Sequence, residues 1–567
     1  MYILGIWDGH DSGAALIEDN KIIFAANEER FTKRKLEIKF PYNSINAALK
    51  YAGLKPSDIE VIAFPTTELT KTLERIMPYS KEYHYLYRRR KIEKPRFERF
   101  NRWLRYFFLQ FGIWPLCGTV SKSIVARQLR HIGFKNFKLY IVDHHTAHAS
   151  TAAFASGFNK ALVVTIDGLG DGLSGSVSTF ENGRLERHQA ISARDSIGIF
   201  YEQVTYLLGM RELEDEGKVM AMADYSYPFD FSANKMKDFF KVEGTEIKAK
   251  YSFFKQLNML DKILWNTPRE QFAYMAQQLL ENVLTKFFSN LLDEYGIGNV
   301  AMAGGTMSNV KANMKIRQLE KLKKWFVFPH MGDGGMAMGA AMYTNYLLNG
   351  VSNYRFEDAY LGNGYSEEEV LAALKREKSL KYEHDSDKSR HAAELIDKDN
   401  YVFWFQGRME YGPRALGNRS ILAKAGSEYV KDKLNLYVKQ REWFQPFAPS
   451  MLVGEARRLL EDVKGYDKFM TMAYLVKPEV RDAMKSVVHV DYTARPQMVG
   501  DENPSYKKLI EQIKRLEGYG VILNTSFNIH GMPIVMSPED AIETMKKTGT
   551  RYMFLEDFFV ENKGAKE

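Results

Sequence analysis

Two stretches far apart in the chain repeat one pattern, and this duplication limits the fold more than any other feature. "ILGIWDGHDSGAALIEDNKIIFAA" begins at Ile3 and "LVVTIDGLGDGLSGSVSTFENGRLERHQA" at Leu162. Each reads as an apolar strand, an Asp-Gly, a turn of small residues and a second strand. A polar turn follows, at Asp19-Asn20 or Glu181-Asn182-Gly183, and then a third strand. The recurrence predicts two related subdomains facing a cleft, with carboxylates at strand ends.

A chain of 567 residues exceeds one ordinary core, so at least two domains are expected. The segment "TPREQFAYMAQQLLENVLTKFFSNLLDEYG" predicts a packing helix, with Thr267 as N-cap, Pro268 at the first position, Glu270 closing a capping box and Gly296 as the stop. It leads into "NVAMAGGTMSNVKANMKI" and "WFVFPHMGDGGMAMGAAMYTNYLL", two strand, glycine-turn and helix units that imply an α/β domain with its ligand at the strand ends. Regularity lapses over Asn349 to Glu369, so domains are expected at 1–352 and 366–567.

Composition removes several function classes. No apolar run reaches the roughly 18 to 20 residues that span a bilayer, and "MYILGIWDGH" has neither a basic leader nor a cleavage site, so a cytoplasmic protein is expected. The single cysteine, Cys117, excludes an intramolecular disulfide and a multi-cysteine zinc site. Any metal must then be held by His, Asp or Glu. The net charge, 79 − 71 = +8, is mild, but Lys81 to Phe108 combines a basic excess with aromatics. That stretch reads either as a solvated helical face or as a surface for nucleic acid, an anionic membrane or an acidic acceptor.

Three histidines stand within "IVDHHTAHAS" in a chain that has 12. His144 and His148 are spaced i, i+4, so on a helix after the strand "KLYIV" their rings share one face, while His145 points elsewhere. With carboxylates at other strand ends, Asp167 and Asp333, the set suits iron(II), zinc or manganese. Gly304 and Gly305, with Gly332, Gly334 and Gly335, would let backbone approach a nucleotide, or else serve close helix packing. The C-terminal half carries Arg408, Arg414 and Arg419, then Lys439 and Arg441, then His489, Asp491 and Arg495, amid turns and aromatics. These cations predict a polyanion pocket, with Asn524, Ser526 and Asn528 as donors and acceptors beside it.

The blocks "AGGTMSNVKANMKI", "FQGRMEYGPRALGNRSILA", "VKQREWFQPFAPS", "VHVDYTARPQ" and "LNTSFNIHGMPIVMSPEDA" resemble signatures of the carbamoyltransferase family that includes nodulation-factor, cephamycin and tobramycin O-carbamoyltransferases. The resemblance spans nearly the whole chain. It implies a two-domain α/β protein: an N-terminal actin-like ATPase (ASKHA) domain similar to tRNA threonylcarbamoyl transferases, and a C-terminal YrdC-like α/β domain. It further implies that His144, His148 and Asp333, with Asp167 alongside, hold Fe2+ or another divalent metal. Lys439, Arg441, Ser526 and Asn528 match the Lys-x-Arg and Ser-x-Asn signature of the domain that would make carbamoyl-AMP from carbamoyl phosphate and Mg2+-bound ATP. Carbamoyl phosphate is assigned to Arg408, Arg414, Arg495 and Asn524, and nucleotide to Gly304, Gly305, Asn309, Asn313, Ser526 and Asn528. His10, in "WDGHDSGAA", is the candidate general base, or a residue that only caps a turn or contacts phosphate.

The expected partners are ATP, carbamoyl phosphate and a small-molecule hydroxyl acceptor, a sugar or natural product, with a homodimer allowed and nucleic acid not expected. Two competing readings remain on the sequence. A tRNA-modification or protein-maturation carbamoyl or threonylcarbamoyl transfer factor would use the same folds, although the hydrogenase-maturation version needs cysteine zinc motifs absent from this sequence. The other is a non-catalytic ATP-binding scaffold.

Overall fold

The computed structural model describes residues 1–90, 98–110 and 116–565. The chain divides into two compact units: the first holds Met1–Glu28 and Glu37–Phe356, and the second holds Glu29–Leu36 and Glu357–Glu567. The change of unit at Phe356 lies within the irregular stretch between the two expected domains. The crossing of residues 29–36 into the second unit was not anticipated.

The first unit contains the duplication as two five-stranded sheets. One is ordered β3-β2-β1-β4-β5, from β1 (Tyr2–Trp7), β2 (Gly13–Glu18), β3 (Lys21–Asn27), β4 (Val61–Pro65) and β5 (Lys138–Val142). The other uses β6 (Lys160–Gly170), β7 (Leu173–Glu181) and β8 (Arg184–Ser192). After a two-stranded ribbon of β9 (Phe240–Glu243) and β10 (Glu246–Ala249), β11 (Asn299–Ala303) and β12 (Lys324–Val327) complete it in the order β12-β11-β6-β7-β8. In both sheets the first three strands form an antiparallel meander, and the last two run parallel to the first on its other side. Helices His144–Ala155 and Met336–Asn349 pack on each other; the former also covers β6 and the latter β1.

Two local expectations need correction. In the second copy β6 runs on through Asp167-Gly168, and the hairpin turns at Asp171 and Gly172, whose φ values of 52° and 81° are what a type I′ turn requires. Asp167 is thereby left on the strand, where its carboxylate can serve a site. The long helix spans Arg269–Tyr295 and ends at Gly296 as expected, but no capping box forms. Pro268 holds the N-cap position, and the Thr267 hydroxyl accepts from Lys235 Nζ instead.

The second unit is an eight-stranded mixed sheet ordered β13-β22-β21-β14-β15-β20-β16-β19. Its strands are β13 (Leu380–His384), β14 (Val402–Phe405), β15 (Arg419–Ala423), β16 (Ala448–Leu452), β19 (Gln497–Val499), β20 (Val521–Ser526), β21 (Tyr552–Leu555) and β22 (Phe558–Asn562), with β17 (Tyr474–Leu475) and β18 (Thr493–Ala494) forming a separate ribbon. Helices Lys388–Asp397 and Pro504–Glu517 supply Ala392, Ile396, Leu509 and Ile513 to one core with Trp404, Leu422 and Phe554. Among the described residues no helix is long and apolar enough to cross a membrane.

Candidate functional site

The first unit gathers His144, His148, Asp167 and Asp333, all buried, with one potential ligand atom from each lying within 4.8 Å of the others. The local sequence accounts for the placement. β5 ends at Val142, the Asp143 side chain caps the following helix by accepting from Thr146 N, and the first and fifth helical residues present His144 and His148 on one face. Gly170 lies flat against the His144 ring, where a Cβ would sit 2.1 Å from Cγ. Gly304 adopts φ 98° with its Cβ direction filled by the Ile166 carbonyl, 2.2 Å away, and this brings the Gly305 amide to Asp167 Oδ1 at 2.8 Å.

The polar geometry is that of a cation site. His144 Nε2 lies 3.2 Å from Asp167 Oδ2 and 3.6 Å from Asp333 Oδ1, and His148 Nε2 lies 3.9 Å and 3.5 Å from the same two oxygens. His148 Nε2 is buried without a hydrogen-bond partner, so the donor set fits a metal ion better than it fits itself. Burial alone would lower the His144 pKa, but the carboxylates of Asp333 and Asp167 raise it to about 10. Burial would raise Asp167, and the hydrogen bond from His144 with the nearby imidazoles reverses this, holding the carboxylate well below its ordinary value. His145 stands apart, its Nδ1 3.0 Å from Thr165 Oγ1 and its pKa driven down to about 3 by burial and by its neighbours His144 and His148.

Asp333 links this cluster to His10: its Oδ1 faces the two imidazoles while its Oδ2 lies 3.2 Å from His10 Nε2. The loop carrying His10 is clamped from the helices Leu69–Ile76 and Pro78–Arg90. Arg75 forks onto the Asp8 carboxylate at 2.8 and 2.7 Å, Lys71 sits 5.2 Å above the Trp7 ring, and Lys81 donates to the Asp8 carbonyl. Burial pushes Lys81 down to about 8. Behind this His/Asp cluster, Asp171 accepts from the His144 amide and from Thr66, and the Asp171 amide donates to Glu68. Sequence reasoning missed this second layer. Asp171 carried a signal in "DGLGDG", whereas Glu68 and Arg75 carried none.

Within the basic-aromatic segment two cations point inward. Besides Lys81, Arg102 forks onto buried Glu212 and lies 3.9 Å over Tyr206. Residues 91–97 and the side chains of Arg88, Arg89 and Arg90 lie outside the described residues.

The second unit gathers cations. A π-helical turn, Leu434–Lys439, and a left-handed Gln440 project Lys439 and Arg441. Lys439 Nζ donates to the Ser526 carbonyl and lies 3.2 Å from Ser526 Oγ, 3.1 Å from the Asn528 carbonyl and 2.9 Å from Asn528 Oδ1. All four acceptors are neutral. Burial, then Arg441 and Lys35, depress the Lys439 pKa far below its usual value. Burial brings Arg414 and Arg441 down to about 10, and burial, Arg414 and Arg441 together depress Arg495 against the opposing pull of Asp467. Among the described residues neither Arg414 nor Arg495 makes a hydrogen bond or ion pair.

Other expected site residues are placed differently. Arg408 donates to the carbonyls of Leu361 and Gly362. Arg419 is fully buried, stacks 3.5 Å from the Phe405 centroid and donates to the carbonyls of Gln406, Gly407, Asn418, Asn363 and Met536, a scaffold role. Asn524 lies inside the sheet and donates to Ala415, Ser450 and Gln497. Asn309 caps the helix Val310–Arg317, and Asn313 donates to the Met307 carbonyl beneath the Gly304-Gly305 turn.

Known proteins match along both units. The family model for the carbamoyltransferase N-terminus matches residues 2–342, and that for the carbamoyltransferase C-terminus matches residues 393–562. An uncharacterized protein of Methanocaldococcus jannaschii is 33% identical over 98% of this chain and 98% of its own. The nodulation protein NolNO of Sinorhizobium fredii is 30% identical over 98% of this chain and 79% of its own. The 3'-hydroxymethylcephem-O-carbamoyltransferase of Streptomyces clavuligerus is 30% identical over 59% of this chain and 62% of its own.

Proposed function

The chain belongs to the carbamoyltransferase family, and from that premise we propose that it is an ATP-dependent O-carbamoyltransferase working in two steps, one in each unit. In the second unit carbamoyl phosphate, ATP and one water give carbamoyl-AMP, pyrophosphate and phosphate. Water cleaves carbamoyl phosphate to carbamate and phosphate, and a carbamate oxygen then bonds to the α-phosphorus of ATP as the bond to pyrophosphate breaks. In the first unit an acceptor hydroxyl bonds to the carbamoyl carbon and AMP leaves.

The observation that carries this reading is the cluster of buried Lys439 with the partly exposed Arg441, Arg414 and Arg495, cations that repel one another, where Lys439 donates only to neutral acceptors. Crowding four cations against only Glu442 and Asp467 as opposing charges is unfavourable unless a polyanion completes the site. Guanidinium forks bind phosphate oxygens by two-point contact, and a shielded pocket would protect the carbamoyl anhydride from hydrolysis. Ser526 and Asn528 hold the Lys439 ammonium in place.

In the first unit His144, His148, Asp167 and Asp333 would hold a divalent metal, iron(II) on the family resemblance, which would supply Lewis-acid stabilisation to phosphate and hydroxyl oxygens. Asp333 Oδ2 lies 3.2 Å from His10 Nε2, and an Nε2–H held there would leave Nδ1 to take the acceptor proton. The Arg75 fork and Lys81 hold the backbone of that loop. Names of relatives that transfer carbamoyl groups to a cephem hydroxymethyl support a small hydroxyl-bearing acceptor.

The reading is tested with labelled carbamoyl phosphate and ATP in the absence of acceptor. Equal release of pyrophosphate and phosphate, dependent on both substrates, is expected. Pyrophosphate release that ignores carbamoyl phosphate, or none, would overturn it.

A further inference from the structure

We propose that Gln497 is a positioning residue of the anion pocket in the second unit: its buried amide locks the turn that carries Arg414 to the link that carries Arg495, so that the two guanidiniums grip one phosphorylated anion together. The inference rests on the reading of that pocket as the place where carbamoyl phosphate and ATP react, and it gives a role to a side chain that touches neither.

Arg414 and Arg495 both stand on irregular backbone, which no strand or helix ladder fixes. Arg414 lies on the turn "GPRALGN" between β14 and β15, and Arg495 on the two-residue link from β18 to β19. Two positions after each arginine comes one end of a single hydrogen bond, in which Gln497 Nε2 donates to the Leu416 carbonyl at 2.8 Å. The rest of the Gln497 amide is fixed as well, since its Oε1 accepts from Ser450 Oγ at 2.7 Å and from Asn524 Nδ2 at 3.2 Å. Asn524 also donates to the Ala415 carbonyl at 3.1 Å, and it lies two positions before Ser526, which holds Lys439. Glu410 secures the turn from within: its Oε1 accepts from the amides of Leu416 and Asn418 at 2.8 Å and of Arg419 at 3.1 Å.

Gln497, Ser450, Asn524 and Glu410 are all buried, so water does not compete for these bonds and the network holds one geometry. Two guanidiniums near one another repel, and segments free to relax would let them drift apart. Gln497, Ser450 and Asn524 are neutral, so they join the two arginine segments without drawing on the guanidinium charge, which stays available to phosphate oxygens. The Leu416 carbonyl also accepts from the Tyr360 hydroxyl at 2.8 Å, and Asn524 Nδ2 also donates to Ser450 Oγ at 2.9 Å. Removing the Gln497 amide therefore leaves these partners satisfied, and the link between the two segments is what is lost.

Steady-state pyrophosphate release by the full chain from ATP and carbamoyl phosphate tests this. Gln497→Met, which keeps the length of the side chain and removes its amide, is expected to raise the KM for carbamoyl phosphate about tenfold with kcat within about threefold of the parent. In an Arg414→Ala background the same substitution is expected to change kcat/KM less than about twofold, because the guanidinium it would aim is gone. An unchanged KM, or an equal loss with and without Arg414, would overturn the proposal. Ser450→Ala, which releases the Gln497 oxygen, takes the place of Gln497→Met should that variant lower the melting temperature. A parent that releases no pyrophosphate defeats the reaction assigned to the pocket, and the same cycle read by calorimetric titration with inorganic phosphate then decides the role of Gln497. A parent that also binds no phosphate would overturn both.

Discussion

The two clusters solve opposite electrostatic problems. In the first unit imidazoles and carboxylates converge, and His10 is added through the second oxygen of Asp333. In the second, Lys439, Arg441, Arg414 and Arg495 gather, Lys439 donating to neutral acceptors, and the opposing carboxylates are Glu442, which acts on Arg441, and Asp467, which acts on Arg495. Asp467 is spent on the amides of Phe469, Thr471 and Met472. A cluster of mixed sign can persist without a ligand, whereas a cluster of one sign stores repulsion that an incoming anion releases. The first therefore reads as a preformed metal site, and the second as a pocket whose stability and affinity trade against each other.

The sharpest break of this contrast is Arg414→Ala. Losing a guanidinium that has no acceptor among the described residues should cut pyrophosphate release about 100-fold or more, yet leave the ligand-free melting temperature unchanged or higher. A stability loss with retained activity would make Arg414 a scaffold residue like Arg419. Arg75→Ala should do the reverse. It leaves the buried Asp8 carboxylate unpaired at a cost of about 3 kcal/mol to the first unit, read by denaturant melts, while pyrophosphate release by the second unit persists.

A smaller effect separates the clusters by pH. The carboxylates raise His144 above its ordinary pKa, so in the metal-free protein its imidazolium contributes stability that is full below about pH 6.5 and lost as pH rises through about 10. Metal uptake needs the neutral ring and must displace that proton, so affinity should climb up to about tenfold per pH unit across the same window. Titrations with a competing chelator at several pH values check this, and a flat profile would remove His144 from the ligand set. The smallest effect is expected at Arg408, whose guanidinium is engaged by backbone carbonyls; Arg408→Ala should change the KM for carbamoyl phosphate less than about threefold while lowering stability by about 1–2 kcal/mol.

What the sequence made legible follows from how local each signal was. The duplicated hairpins announced two sheets of equal topology, and the i, i+4 spacing placed His144 and His148 on one helix face because both depend on neighbours a few residues away. The turn at Asp171-Gly172 stands within the expected small-residue turn, but the strand runs on through Asp167-Gly168, which the sequence placed after its end. Motif-borne arginines could not be sorted by spacing. Arg414 faces the pocket while Arg408 and Arg419 serve backbone carbonyls, a distinction made by residues such as Leu361 and Met536 far along the chain. The crossing of residues 29–36 into the second unit was invisible for the same reason, because Arg30 finds Gly412 and Ile534 only in the folded protein.

The central claim is a division of labour, and a crossed pair of variants measures it most directly. His148→Ala and Arg441→Ala are assayed in parallel for pyrophosphate release from ATP with carbamoyl phosphate, for bound metal by elemental analysis, and for transfer of labelled carbamoyl to an acceptor. His148→Ala is expected to lose metal and transfer while still releasing pyrophosphate, and Arg441→Ala to keep its metal while losing pyrophosphate release and, with it, transfer. Loss of pyrophosphate release in His148→Ala, or wild-type release in Arg441→Ala, would contradict the assignment of one step to each unit.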